Sequence, residues 1–135
     1  MRTVNDTPAG TKPPDVTCTC TFAGCPESVS AARAFVTGLL PGSPAAADAA
    51  LLTSELVTNA ILYSASRLPG GQVTVSVQVG DDTVRVDVID QGAVPPDLTV
   101  PRGLGLGLPL VAALADVFGA DGRDRWFALS TGGAR

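Results

Sequence analysis

Apolar and polar positions alternate with a period of two in several parts of the chain, which marks strands with one buried face. From Val16 to Phe22, apolar and cysteine positions alternate with Thr17, Thr19 and Thr21, which predicts a first strand. Val73, Val75, Val77 and Val79 alternate with Thr74, Ser76 and Gln78, and Val84, Val86 and Val88 repeat the rule after Gly80-Asp81-Asp82. Two such runs joined by a Gly-Asp turn predict a β-hairpin. Arg125 to Ser130 reads as a final short strand.

Elsewhere the apolar period is helical. Val29, Ala32, Phe35, Val36, Leu39 and Leu40 predict a helix from Pro26 to Leu40, ended by Pro41-Gly42. Ser43 is read as the cap of a second helix and Pro44 as its first residue. That helix continues through an alanine-rich run to about Tyr63, since alanine favours helix most strongly. Leu68-Pro69-Gly70-Gly71 is a turn, and 90–102 is a loop with Gly92, Pro95, Pro96 and Pro101. A third helix is placed within Leu104 to Phe118, followed by a turn over Gly119 to Asp124. Residues 1–15 lack periodicity and read as a flexible leader, with one domain over 16–135. The order of strand, helix, helix, hairpin, loop, helix, strand predicts an α+β fold. Its form is a two-layer sandwich, with a mixed, mainly antiparallel sheet and helices on one face.

Composition narrows the function. Aromatic residues are only 4% of the 135, so the core is built from Val, Leu and Ala. Nine Lys and Arg against thirteen Asp and Glu give a net charge of -4, with no basic stripe for nucleic acid. Residues 1–15 lack the apolar segment of a secretory signal, and no stretch has the roughly 20 apolar residues of a membrane span. A cytoplasmic protein is therefore expected. There is no histidine, so His-based catalysis is absent from this chain. Cys18, Cys20 and Cys25 cannot close a tetrahedral zinc site by themselves, and Cys18 and Cys20 read as buried strand positions.

Three short motifs carry possible chemistry. Glu55 and Asn59 are four apart on the second helix and share a face, which sets a carboxylate beside an amide oxygen acceptable to Mg²⁺. Asp90 follows a strand and stands two residues before Gly92, where it could accept from an adenine amino group; the same residues fit an ordinary Asp-x-Gly turn. Gly103, Gly105 and Gly107 alternate with Leu104 and Leu106 before the third helix, a pattern that admits phosphate to backbone N–H groups. Each motif alone also has a plain structural explanation: a solvated helix face, a turn, or a tightly packed helix entry.

Taken in order, Glu-Leu-Val-Thr-Asn-Ala on a helix, Asp-Gln-Gly after a hairpin, and Gly-Leu-Gly-Leu-Gly before a helix resemble the GHKL (Bergerat-fold) ATPase/kinase superfamily. Within it, Ala50 to Ala60 and Trp126-Phe127-Ala128-Leu129 are most similar to the anti-sigma-factor serine/threonine kinases. The resemblance implies ATP and Mg²⁺ as cofactors, with Glu55 as general base, Asn59 as the Mg²⁺ ligand and Asp90 as the adenine acceptor. Gly92 and Gly103, Leu104, Gly105, Leu106 and Gly107 would form the walls and lid of the nucleotide pocket, with Arg102 a candidate for phosphate contact that fits an exposed loop arginine equally well.

The same resemblance implies a protein kinase that binds a sigma factor and phosphorylates its antagonist, as a homodimer, without contacting nucleic acid or membrane. Three positions depart from the pattern. Tyr63 replaces a usual histidine, the stretch from Gly92 to Gly103 is short, and Arg123-Asp124-Arg125 replaces the usual Gly-Thr. These departures keep a second expectation in view: an ATP-binding or degenerate interaction module that regulates a partner without catalysis. An orphan histidine-kinase catalytic domain is a third, with its phosphoacceptor on another chain.

Overall fold

The structure is a computed structural model, and it describes residues 16–95 and 107–132. Strands β1 (Val16–Ala23), β2 (Gln72–Val79), β3 (Thr83–Ile89), β4 (Val117–Asp121) and β5 (Asp124–Ser130) form one sheet in the order β1-β2-β3-β5-β4. Every described pairing is antiparallel. The helices are α1 (Glu27–Gly38), α2 (Ala46–Tyr63) and α3 (Gly107–Leu114), with a 3-10 turn over Ala65–Arg67. This is the expected α+β sandwich, with the mainly antiparallel sheet that was expected.

Alternation explains why the layers meet as they do. Register aligns Val75 with Val88 and Val77 with Val86, and aligns Val86 and Val84 with Phe127 and Leu129. All of these side chains point to one face and are buried. They pack against Ala32 and Val36 of α1 and Leu52, Leu56, Val57 and Ala60 of α2 in one core. Full burial of a Val or Leu side chain contributes about 1.5–3 kcal/mol, which is what fixes the register. Cys18 and Cys20 face the same side, opposite Val77 and Val75, but β1 is an edge strand and leaves them half-buried.

Two sequence expectations are corrected here. Ser43 does not cap α2: its Oγ accepts from the Ala45 N–H at 3.1 Å within a preceding turn, and the helix begins at Ala46. The third helix, Gly107–Leu114, lies within the expected stretch, but the first half of the turn expected over Gly119 to Asp124 belongs to strand β4. The cause is tertiary. Phe118 aligns with Phe127, and Gly119 lies beneath the Trp126 indole, where an added Cβ would come within 2.8 Å of the ring. The glycine that looked like a turn residue is the floor for a tryptophan.

The end of α2 is tied to the end of β3. Ser64 leaves the helix in an extended conformation; its Oγ donates to the Ala60 carbonyl at 2.7 Å and accepts from the Ser66 N–H at 3.0 Å. The Ala65 N–H then donates to the Gly92 carbonyl at 2.8 Å, and the Gln91 N–H donates to Ser66 Oγ at 3.1 Å. Gly24 and Gly71 close on the Ser66 carbonyl so tightly that a Cβ on either would overlap it. Ser66 is fully buried at the centre of this knot.

Candidate functional site

Glu55 and Asn59 both lie on α2, half-buried, with Leu56, Val57 and Ala60 holding the adjacent stripe in the core. Their spacing of four places them on one face, as expected. Asn59 is one helical turn before Tyr63, the end of α2 that is bonded to the Asp90–Gly92 turn. The fold therefore brings two of the three sequence motifs to one end of the sheet.

Asp90 ends β3 and is only 7% exposed. Its Oδ1 accepts from the Gly92 N–H at 2.7 Å, so the Asp-x-Gly turn is real. Gly92 has φ +90, a conformation that L side chains rarely adopt, which accounts for the glycine. The Asp90 N–H donates to the Arg123 carbonyl at 2.9 Å, and Asp90 Oδ2 accepts from Arg125 Nη1 at 2.9 Å. The aliphatic part of Arg123 lies beside Gly92, its Cδ 3.2 Å from where a Cβ would stand. The turn is thus faced by two arginines from the β4–β5 connection and β5.

Arg102, Gly103, Leu104, Gly105 and Leu106 lie outside the described residues. Gly107 is the first residue of α3, and that helix packs against α2. Pro109 falls in its first turn, where a missing N–H costs nothing. A surface cavity of about 470 Å³ opens between residues 21–25 and 67–72, and its lining includes none of Glu55, Asn59 or Asp90.

The donor set suits a nucleotide-borne Mg²⁺. Among the described residues no group of three Asp, Glu, Cys or His could hold a metal without help. Mg²⁺ is normally bound through one or two protein oxygens, with phosphate and water completing its shell. Asn59 would supply one such oxygen. No helix among the described residues is long and apolar enough to cross a membrane.

Arg125 is the residue that the sequence motifs missed. A signal for it exists in the alternation, because Arg125 shares its sheet face with Phe127 and Leu129. A charged residue at a core-facing position needs a carboxylate, and Asp90 is that partner.

Residues 22–125 match the family model described as histidine kinase-like ATPase domain. The chain is 35% identical over 85 residues to the anti-sigma F factor of Geobacillus stearothermophilus. It is equally similar to the anti-sigma F factor of Geobacillus kaustophilus (strain HTA426). Each alignment covers 60% of this chain and 58% of the relative, so the chain spans less than two thirds of the curated relatives it matches.

Proposed function

This chain belongs to the histidine kinase-like ATPase domain family, and from that we propose that it is an ATP-dependent serine/threonine kinase of the anti-sigma-factor type. Its partners in this reading are a sigma factor, which it sequesters, and an antagonist protein, which it phosphorylates. It works in the cytoplasm, as a homodimer, without contacting nucleic acid. The observation that carries the reading is the placement of Glu55 and Asn59 on the helix whose end is bonded to the Asp90–Gly92 turn. The anti-sigma F factor relatives support the choice of partner.

In the mechanism, Asp90 accepts from the adenine amino group and fixes the base. Gly92 lets the backbone approach it, and the run Arg102 with Gly103 to Gly107 is assigned to phosphate contact by its glycine pattern. Asn59 would hold the Mg²⁺ that arrives with the nucleotide. When bound, the ion supplies charge neutralisation on the phosphate oxygens. Glu55 takes the proton from the substrate serine hydroxyl at its carboxylate. Positioning and electrostatics carry most of the rate gain, and a general base contributes about 10²–10⁴-fold.

Glu55→Gln therefore abolishes measurable phosphoryl transfer while the ATP dissociation constant, measured by calorimetry, stays within about twofold. Equal loss of binding and transfer would remove Glu55 from the role of base. A second reading, a non-catalytic ATP-binding or degenerate module, is favoured by the cover that Arg125 places on Asp90. Calorimetry with ATP, with and without Mg²⁺, followed by a transfer assay on antagonist protein, separates the two. Binding without transfer selects the module, and no binding sinks the kinase.

A further inference from the structure

We propose that Arg125 is a built-in competitor for the purine base, occupying the Asp90 carboxylate and yielding it only when the nucleotide binds. The inference rests on the assignment of Asp90 as the base acceptor. Among the described residues, Asp90 Oδ1 is taken by the Gly92 N–H and Oδ2 by the Arg125 guanidinium. The first bond is part of the turn backbone and cannot be given up without undoing Gly92. The second comes from a long side chain that is 41% exposed while Asp90 itself is 7% exposed.

An incoming amino group therefore meets a carboxylate already covered, and the movable part of the cover is Arg125. Both groups are hydrogen-bond donors that seek the same oxygen. The guanidinium also has somewhere to go, because its exposed side is in contact with water. The Arg125 end of the pair lies in water, so the guanidinium is resolvated as it leaves and the latch is displaceable. What it sets is a threshold: apparent affinity falls in proportion to the fraction of molecules in which Asp90 is free.

Arg125→Met keeps much of the aliphatic stem and removes the donors. With the full chain, calorimetry is expected to show ATP binding about five- to tenfold tighter than wild type. Inosine triphosphate, which carries the same phosphates but no amino group at the purine C6, gains less than about twofold. Arg125→Lys keeps a cation within reach of Asp90 and stays near wild type. If Arg125→Met fails to fold by circular dichroism, the wild-type protein decides the matter with adenosine, a neutral ligand. Adenosine binding should then tighten as salt rises from about 50 to about 500 mM and screens the ion pair.

Unchanged or weaker ATP binding by a folded Arg125→Met protein overturns the competitor role while the ATP-binding function stands. Equal tightening for ATP and inosine triphosphate overturns it as well, since the effect would then lie away from the base. In the salt arm, adenosine affinity that does not rise has the same meaning. Absence of ATP binding by both wild type and variant removes the proposed function, and the competitor with it.

Discussion

The Arg85 guanidinium carbon lies 4.0 Å from the centre of the Trp126 ring, on the face of the sheet opposite the helices. The same guanidinium makes a two-pronged ion pair with Asp87, with Nε donating to Oδ1 at 2.8 Å and Nη2 to Oδ2 at 2.9 Å. One arginine thus ties β3 to β5 through the ring, held in place by a carboxylate of its own strand. Asp124 stands beside this pair, its Oδ1 buried without a donor among the described residues and the Asp87 carboxylate next to it.

That arrangement makes stability depend on pH. Burial, then the neighbouring Asp87, pushes the Asp124 carboxyl up to about 7 from an ordinary 3.8. Burial also pushes Asp87 up, but the Arg85 and Asp124 hydrogen bonds outweigh it and hold Asp87 below the ordinary value. Between pH 3.8 and about 7 the folded chain keeps a proton on Asp124 that the unfolded chain has lost. The Asp124 contribution is therefore full below the lower value and gone once pH passes the upper one. Asp124→Asn should flatten this slope and gain about 1 kcal/mol at pH 8, allowing for solvent screening. Urea unfolding at several pH values, followed through the single tryptophan, checks it; an unaltered slope would contradict the assignment.

Gly119→Ala tests the floor under Trp126. The added methyl would come within 2.8 to 2.9 Å of the indole, so the ring must move off Arg85. A loss of about 1–3 kcal/mol is expected, as for other overpacked sites, together with a shift of Trp126 fluorescence. Retained stability and an unshifted spectrum would show that β4 adjusts freely.

Gly71→Ala tests the knot at Ser66. Here the obstacle is backbone, the Ser66 carbonyl, which cannot swing aside like a side chain. The cost should be about 3 kcal/mol or more, visible as a large fall in Tm. ATP affinity should fall in any fraction that folds, because Gln91 and Gly92 are bonded to the same turn.

Thr53→Val should go the other way. Thr53 is fully buried on α2, and its hydroxyl has no hydrogen-bond partner among the described residues. Replacing the hydroxyl with a methyl removes an unmet polar group at nearly the same size, and Val and Thr have similar helix propensities. A gain of about 1 kcal/mol in chemical denaturation is expected. Destabilisation would indicate that the hydroxyl has a partner in solution.

The valine alternation placed β2 and β3 within a residue of their ends, and Glu55, Asn59 and Asp90 stood out because helix periodicity and strand ends are local properties. What escaped is non-local. Val117 to Asp121 contains a glycine and too few apolar alternations to announce a strand, and its identity comes from pairing with β5. Arg125 and Asp90 are 35 residues apart and meet only because β3 and β5 are neighbours. Ser43 looked like a cap because Pro44 follows it, yet a local turn took up its hydroxyl first.

The bonds that fasten Ala65 and Ser66 to Gly92 and Gln91 make α2 and the Asp90 turn a single stiff gauge. Glu55 and Asn59 are graduations on one arm, and Asp90 is the stop at the other. In the proposed site, a molecule that touched both would have to match a span fixed before it arrived, and would be selected by length as well as by charge. Adjustment is left to side chains at the stop, and Arg125 is the one placed to give way.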